Sequence, residues 1–237
     1  MNIKKHIPNA ITCGNLISGC FSILFLTLDM PVKAAYMVLV AGLFDFLDGF
    51  AARQLQARST IGAYLDSLSD MVSFGVAPGF IMCWLMDRAT DYPSVLVYGI
   101  CIMPSLAFLL PLCSAIRLAR FNTDDTQTTT FKGIPTPGMA IFIASLPLAL
   151  SRLGHLTDGS LGYWACLGIT LFFSFLMLSN LKFFSFKMNS VKWKGNEVRW
   201  IFLLIAIVSL AIFCWAALPF VMVLYILLSI FFAGKME

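Results

Sequence analysis

Four aspartates in two pairs carry most of the chemistry that can be read from this chain. Asp45 and Asp48 stand three residues apart and Asp66 and Asp70 four apart, with Gly49, Arg53 and Gly62 among them. Residues at i,i+3 and i,i+4 share one helix face, so each pair presents two carboxylates to the same side. Two such faces brought together make a cage of hard oxygen ligands suited to Mg²⁺ or Mn²⁺. Divalent ions there would neutralise a pyrophosphate and polarise phosphorus, and two ions about 3.5–4 Å apart would clamp both sides of a transferred group. A carboxylate not fully used in coordination could take the proton of an attacking hydroxyl. Gly49 lets a ring or phosphate approach the helix backbone, and Arg53 offers phosphate oxygens a planar donor fork. Together these parts describe phosphoryl transfer.

The elements that must hold these groups are membrane helices. The 237 residues are 59% hydrophobic and 12% charged, with mean hydropathy +0.88, against about 25% charged residues in soluble domains. The apolar runs have the ~20-residue length of spanning helices, not the ~10-residue alternation of a barrel. The expected fold is therefore all-α: one polytopic integral membrane domain over 1–237, with about eight transmembrane helices. The spans are expected at 8–28, 32–52, 61–86, 93–119, 137–152, 161–181, 199–216 and 218–233. The last two are C-terminal helices (199–233) divided only by Ala217, Leu218 and Pro219, which requires a short hairpin. The catalytic stretch 45–70 then straddles the end of span two and the start of span three. Ionisable groups at that depth are costly, and four of them together mark a site rather than scaffold.

Charge placement orients the chain. With both ends cytoplasmic, only Lys33, Arg88 and Arg152 of the sixteen Lys and Arg fall outside, a strong positive-inside bias. The carboxylates then open toward the cytoplasm, in the cell (inner) membrane of a bacterium or archaeon. The net charge of +4 fits this topology and anionic headgroups rather than nucleic acid. The seven cysteines are dispersed, with no Cys-x-x-Cys pair, and read as small packing residues. His6 and His155 stand alone and suggest no metal site. The apolar N-terminal run continues to Leu28 without a small-x-small cleavage site and reads as a retained first span. The polar stretch 123–131, with Asp124 and Asp125, reads as a loop or lid. The Lys- and aromatic-rich 182–194 reads as a surface docking on anionic lipid.

The pattern D-x2-D-G-x2-A-R-x8-G-x3-D-x3-D is filled at every fixed position by Asp45, Asp48, Gly49, Ala52, Arg53, Gly62, Asp66 and Asp70. It resembles the defining motif of the CDP-alcohol phosphatidyltransferases. That resemblance implies a cytidine-diphosphate lipid donor, two divalent metals and a helical membrane fold that forms a homodimer. It implies Asp45, Asp48, Asp66 and Asp70 as metal ligands, Asp70 as the general base, and Gly49, Ala52, Arg53 and Gly62 as the lining of the CDP moiety.

The core motif does not choose the acceptor alcohol. The stretches around Pro8–Leu16, Ser73–Gly79, Arg117–Asn122 and Lys132–Pro137 look like the phosphatidylserine synthase branch, with a fainter echo at Ser185–Lys187. That likeness implies transfer of the phosphatidyl group from CDP-diacylglycerol to serine, giving phosphatidylserine and CMP, and puts the acceptor pocket in 73–79 and 117–137. Serine carries a carboxylate, so its pocket should hold a fixed cation. Arg117 and Arg120 share a face at the inner end of span four and either grip that carboxylate or snorkel to headgroups. Asn122 is a further hydrogen-bonding candidate. Asn15, polar within span one, either bonds a neighbouring helix or lines the substrate cavity. Gly75 and Gly79 surround Pro78, which favours a kink or cavity-lining break over a dimer seam. Two competing functions stay open: a sister transferase using glycerol 3-phosphate or inositol phosphate, and a cation or proton transporter whose carboxylates carry the ion.

Overall fold

Within hydrocarbon every backbone N–H and C=O must be satisfied inside its own segment, which makes helix the default for each apolar run. The computed structural model describes residues 6–57, 59–89, 95–98, 100–123, 131–154, 161–183 and 197–232. Arg58, Asp124, Asp125, His155, Lys187, Lys192, Lys194 and both terminal basic clusters lie outside the described residues. The helices are α1 (His6–Thr27), α2 (Pro31–Gln54), α3 (Thr60–Asp87), α4 (Met103–Thr123), α5 (Thr136–Leu153), α6 (Tyr163–Leu178), α7 (Glu197–Phe213) and α8 (Leu218–Phe232). Two antiparallel ladders of two-residue strands accompany them: β1 (Leu96–Val97) with β2 (Ile100–Cys101), and β3 (Phe131–Lys132) with β4 (Lys182–Phe183).

Among the described residues, six segments are long and apolar enough to cross a bilayer: α1 to α5, and the stretch Trp200–Ser229. The last of these doubles back. The Phe202 and Tyr225 rings lie 6.1 Å apart, where one continuous helix would separate them by about 35 Å. The expected C-terminal hairpin is thus present, with its bend in the 3₁₀ turn Cys214–Ala217. α6 at 16 residues, and α7 and α8 at 17 and 15 once the bend divides them, are each shorter than the ~20 needed to span unaided. One boundary differs from expectation: the fourth helix begins at Met103, not 93, because 95–102 is taken up by the β1–β2 ladder and a turn with Tyr98 at φ 50°.

α1 packs against α2, against Thr60–Asp70 and against the middle of α3. Close approach is possible because Gly19 faces Ser73: a Cβ there would stand 2.9 Å from the Ser73 Cα. Ser22 donates to the Ala34 carbonyl (2.9 Å) and Ser73 to the Asn15 carbonyl (2.9 Å), tying α1 to both neighbours. At the end of the bundle away from the motif, the Trp84 indole and Arg88 both donate to Asp29. These bonds, the indole first, hold its carboxyl below the usual carboxylate range.

α3 is not uniform. Met71–Val76, directly after Asp70, is π-helical, and the α-helix resumes at Ala77. Pro78 explains the widening: it cannot donate to the preceding turn, and its ring would collide with the carbonyl of Phe74 in a regular helix. The break expected around Gly75, Pro78 and Gly79 takes the form of a π segment that holds Gly75 and ends just before the α-helix carrying Pro78 and Gly79. Both glycines serve packing within the chain, since a Cβ on Gly79 would come 2.8 Å from Pro111 and one on Gly75 3.2 Å from Ser114.

Candidate active site

α2 ends at Gln54, and Ser59 restarts the chain as the N-cap of α3, its hydroxyl accepting from the Gly62 N–H at 3.0 Å. Only four residues separate that cap from α2, yet the two helices diverge. Both lean on α1, and the space between them is the site. Asp45 and Asp48 project into it from α2, and Asp66 from α3. One carboxylate oxygen from each lies within 4.8 Å of the others. Asp48 Oδ2 and Asp66 Oδ1 are buried with no hydrogen-bond partner among the described residues. Three converging carboxylates, two of them with a buried, unanswered oxygen, are costly on their own and fit a hard divalent cation.

Asp70 stands one turn beyond Asp66, within electrostatic reach of Asp45 and Asp66 but outside that tight group. Its Oδ1 accepts from the Asn15 amide at 3.0 Å, and Asn15 is fully buried. The polar residue of span one therefore bonds a neighbouring helix, and the partner is a motif aspartate. The π segment begins at the next residue, so the ladder is irregular just where this carboxylate leaves the helix.

Two cavities meet at these groups. The smaller, about 260 Å³, runs between α1, α2 and α3 and takes in Gly49, Ala52 and Gly62. Its floor is supplied by Pro8, Asn9 and Thr12. The larger, about 550 Å³, is lined by all four aspartates, Arg53, Arg117 and Asn122, and by Pro135, Thr136 and Pro137. Asp48, Gly49, Ala63 and Asp66 line both.

The acceptor-side residues separate into two groups. Arg117 is buried, its Nη1 donates to Thr136 Oγ1 at 3.4 Å, and its Nε has no partner among the described residues. Arg120, one turn on, is exposed, reaches the Leu178 carbonyl at 3.5 Å and does not line the cavity. Asn122 lines it and donates to Ser67 at 2.9 Å. The Pro135–Pro137 lining follows Gly133, whose φ of +75° favours glycine and where a Cβ would stand 2.5 Å from the Met177 carbonyl. Its N–H donates to the Leu181 carbonyl at 2.9 Å, beside the β3–β4 ladder.

Sequence reasoning did not single out Thr12, Ser59, Ala63 or Ser67. Ser59 carried a signal, a capping serine just before an apolar helix. The others are small residues whose role comes from what faces them.

A family model described as CDP-alcohol phosphatidyltransferase matches residues 5–176. The chain belongs to that family. A CDP-diacylglycerol–serine O-phosphatidyltransferase of Bacillus subtilis (strain 168) is 34% identical over 197 residues, covering 79% of this chain and 95% of that protein. One from Helicobacter pylori (strain J99) is 32% identical, covering 78% and 74% respectively. An archaetidylserine synthase of Methanothermobacter thermautotrophicus is 34% identical, covering 77% and 73%.

Proposed function

We propose that the protein transfers the phosphatidyl group from CDP-diacylglycerol to the hydroxyl of L-serine, giving phosphatidylserine and CMP. The observation that carries this reading is the pair of cavities sharing a carboxylate wall, one bordered by the glycine and alanine positions of the motif, the other holding a buried arginine. The serine-using relatives support the choice of acceptor.

Asp45, Asp48 and Asp66, with Asp70 beside them, would hold Mg²⁺ or Mn²⁺, two ions in all, whose chemistry is to neutralise the donor pyrophosphate and polarise its phosphorus. The cytidine diphosphate enters the smaller cavity, where Gly49, Ala52 and Gly62 leave the helix surfaces bare. Arg53 meets phosphate oxygens from the larger one. Serine occupies the larger cavity with its carboxylate on the Arg117 guanidinium, and Asn122 offers a further hydrogen bond. Asn15 fixes the orientation of Asp70. Asp70 takes the proton of the serine hydroxyl. The serine oxygen bonds to the lipid-linked β-phosphorus, the bond from that phosphorus to the bridging oxygen breaks, and CMP leaves. The acyl chains need not leave the bilayer.

The same proposal places both termini and the carboxylate-bearing end in the cytoplasm of a bacterium or archaeon, on the strength of the Lys and Arg bias. It takes the working form as a homodimer, which cross-linking in native membranes reads directly.

The test is an acceptor screen. Purified protein in vesicles receives CDP-diacylglycerol, Mg²⁺ or Mn²⁺, and serine, glycerol 3-phosphate or inositol phosphate. CMP should appear with serine and stop with chelator. Release only with another acceptor moves the protein to a sister branch. Cation flux in the same vesicles without CMP would make it a transporter.

A further inference from the structure

Ser73 stands in the π segment three residues after Asp70, in the stretch expected to line the acceptor pocket. It lines neither cavity. It is fully buried, and its hydroxyl donates to the Asn15 carbonyl at 2.9 Å. The amide of Asn15, itself fully buried, donates to Asp70 Oδ1 at 3.0 Å. One residue of α1 is thus held twice by α3, at its carbonyl by Ser73 and at its side chain by Asp70. The two helices can come this close because position 19, one turn further along α1, is glycine. A Cβ there would stand 2.6 Å from Ser73 Oγ and 2.9 Å from Ser73 Cα.

This is more than a tie between membrane helices. Ser22 makes such a tie on the same helix, donating to the Ala34 carbonyl at 2.9 Å from a fully buried side chain, and a bond of that kind adds modestly to packing. Ser73 and Asp70 instead close a ring, running from the carboxylate through the Asn15 side chain and carbonyl to the Ser73 hydroxyl and back along α3. An asparagine amide is only two rotatable bonds from its backbone, so gripping the carbonyl fixes the point from which the amide reaches Asp70. The amide oxygen of Asn15 is buried without a partner among the described residues. That placement is unfavourable, so the bond to Asp70 is what sets the orientation of the amide. The π form begins at Met71, so the regular ladder stops just where the carboxylate needs a fixed direction.

We infer that Ser73 is a positioning residue: by holding the Asn15 carbonyl it keeps the Asn15 amide, and through it the Asp70 carboxylate, aimed at the acceptor hydroxyl. This rests on Asp70 being the base, as proposed above. The Ser73–Gly79 stretch then has a part in the reaction through Asn15, with Ser73 outside both cavities.

The experiment measures kcat, serine KM and CDP-diacylglycerol KM in vesicles, with the thermal transition in detergent, for Ser73→Ala, Ser22→Ala, Asn15→Ala and the double variant Asn15→Ala/Ser73→Ala. Ser73→Ala should lower saturating kcat about tenfold, short of the ~100-fold that an ångström of misplacement costs, with both KM values within twofold. Ser22→Ala removes a buried bond of the same length from the same helix. It should lower the thermal transition about as much and leave kcat within twofold. Asn15→Ala should lower kcat at least as far as Ser73→Ala, and on that background Ser73→Ala should add nothing. Where Ser73→Ala does not insert, Ser73→Cys, whose thiol is only a weak donor, is read by the same criteria. A wild-type kcat in the Ser73 variant overturns the inference. So does an equal loss in Ser22→Ala, or an additive loss in the double variant. Near-normal turnover in Asp70→Asn sinks the base reading itself, whatever Ser73 does.

Discussion

The two cavities are built from very different spans of chain. The smaller is lined by residues between Pro8 and Asp66, three consecutive helices and one short connection. The larger takes residues from Asp45 to Pro137, so its walls come from helices far apart in sequence. A cavity made from neighbours in sequence can be specified by spacing alone, because a capped helix start and i,i+4 geometry aim the side chains. A cavity made from distant helices needs packing contacts to bring its walls together. In this molecule those contacts include the Gly19–Ser73 and Gly79–Pro111 approaches and the Gly133 turn. Under the proposed function, donor binding belongs to the first kind of construction and acceptor choice to the second, with the carboxylates shared between them.

Substitutions can break or sharpen that contrast. The largest effect is expected at the shared wall: Asp66→Asn or Asp70→Asn should lower serine-dependent CMP release by about 10²–10³-fold, the scale for losing one stabilising group at a transition state, with membrane insertion unchanged. Near-normal turnover in either would remove the wall from the chemistry. Next come the arginines, separated by what they touch. Arg117→Ala should raise serine KM by about a hundredfold, as expected when a buried charge loses its partner. Arg120→Ala should change it by less than about threefold, in line with an exposed side chain. Equal effects would mean that the cavity lining does not define the acceptor site.

A smaller shift is expected from filling the donor side. Ala52 borders the smaller cavity only, so Ala52→Leu should raise CDP-diacylglycerol KM about tenfold, the cost of overpacking, and leave serine KM alone. A rise in serine KM instead would merge the two cavities into one functional space. The mildest change is Ser59→Ala, which removes the cap of α3 and should cost about 1 kcal/mol of stability, read as an earlier thermal transition in detergent. No shift would show that α1 packing alone holds that helix start.

Legibility followed the same division. The aspartates, Gly49, Ala52 and Gly62 could be read as a group because their spacing is local; the structure brings Asp45, Asp48 and Asp66 together and sets Gly49, Ala52 and Gly62 on the cavity beside two of them. Asp70 was visible as a carboxylate, but its bond to Asn15, 55 residues away, was not. Arg117 and Arg120 are indistinguishable in sequence, since both sit on one face at one helix end. Burial against Thr136 separates them. Pro78 announced a break in α3, while the π form of that break depends on the whole turn rearranging around a missing donor.

What the sequence determined by itself is the membrane-helical class, the spacing that puts two acidic faces at one end, and the motif that fixes the family. These depend on periodicity and hydropathy, which act within a turn or two of helix. Only the tertiary structure decided which three carboxylates converge and which arginine faces the cavity. Those outcomes depend on close helix approach, where ångström-scale differences at Gly19, Gly79 and Gly133 decide which surfaces meet.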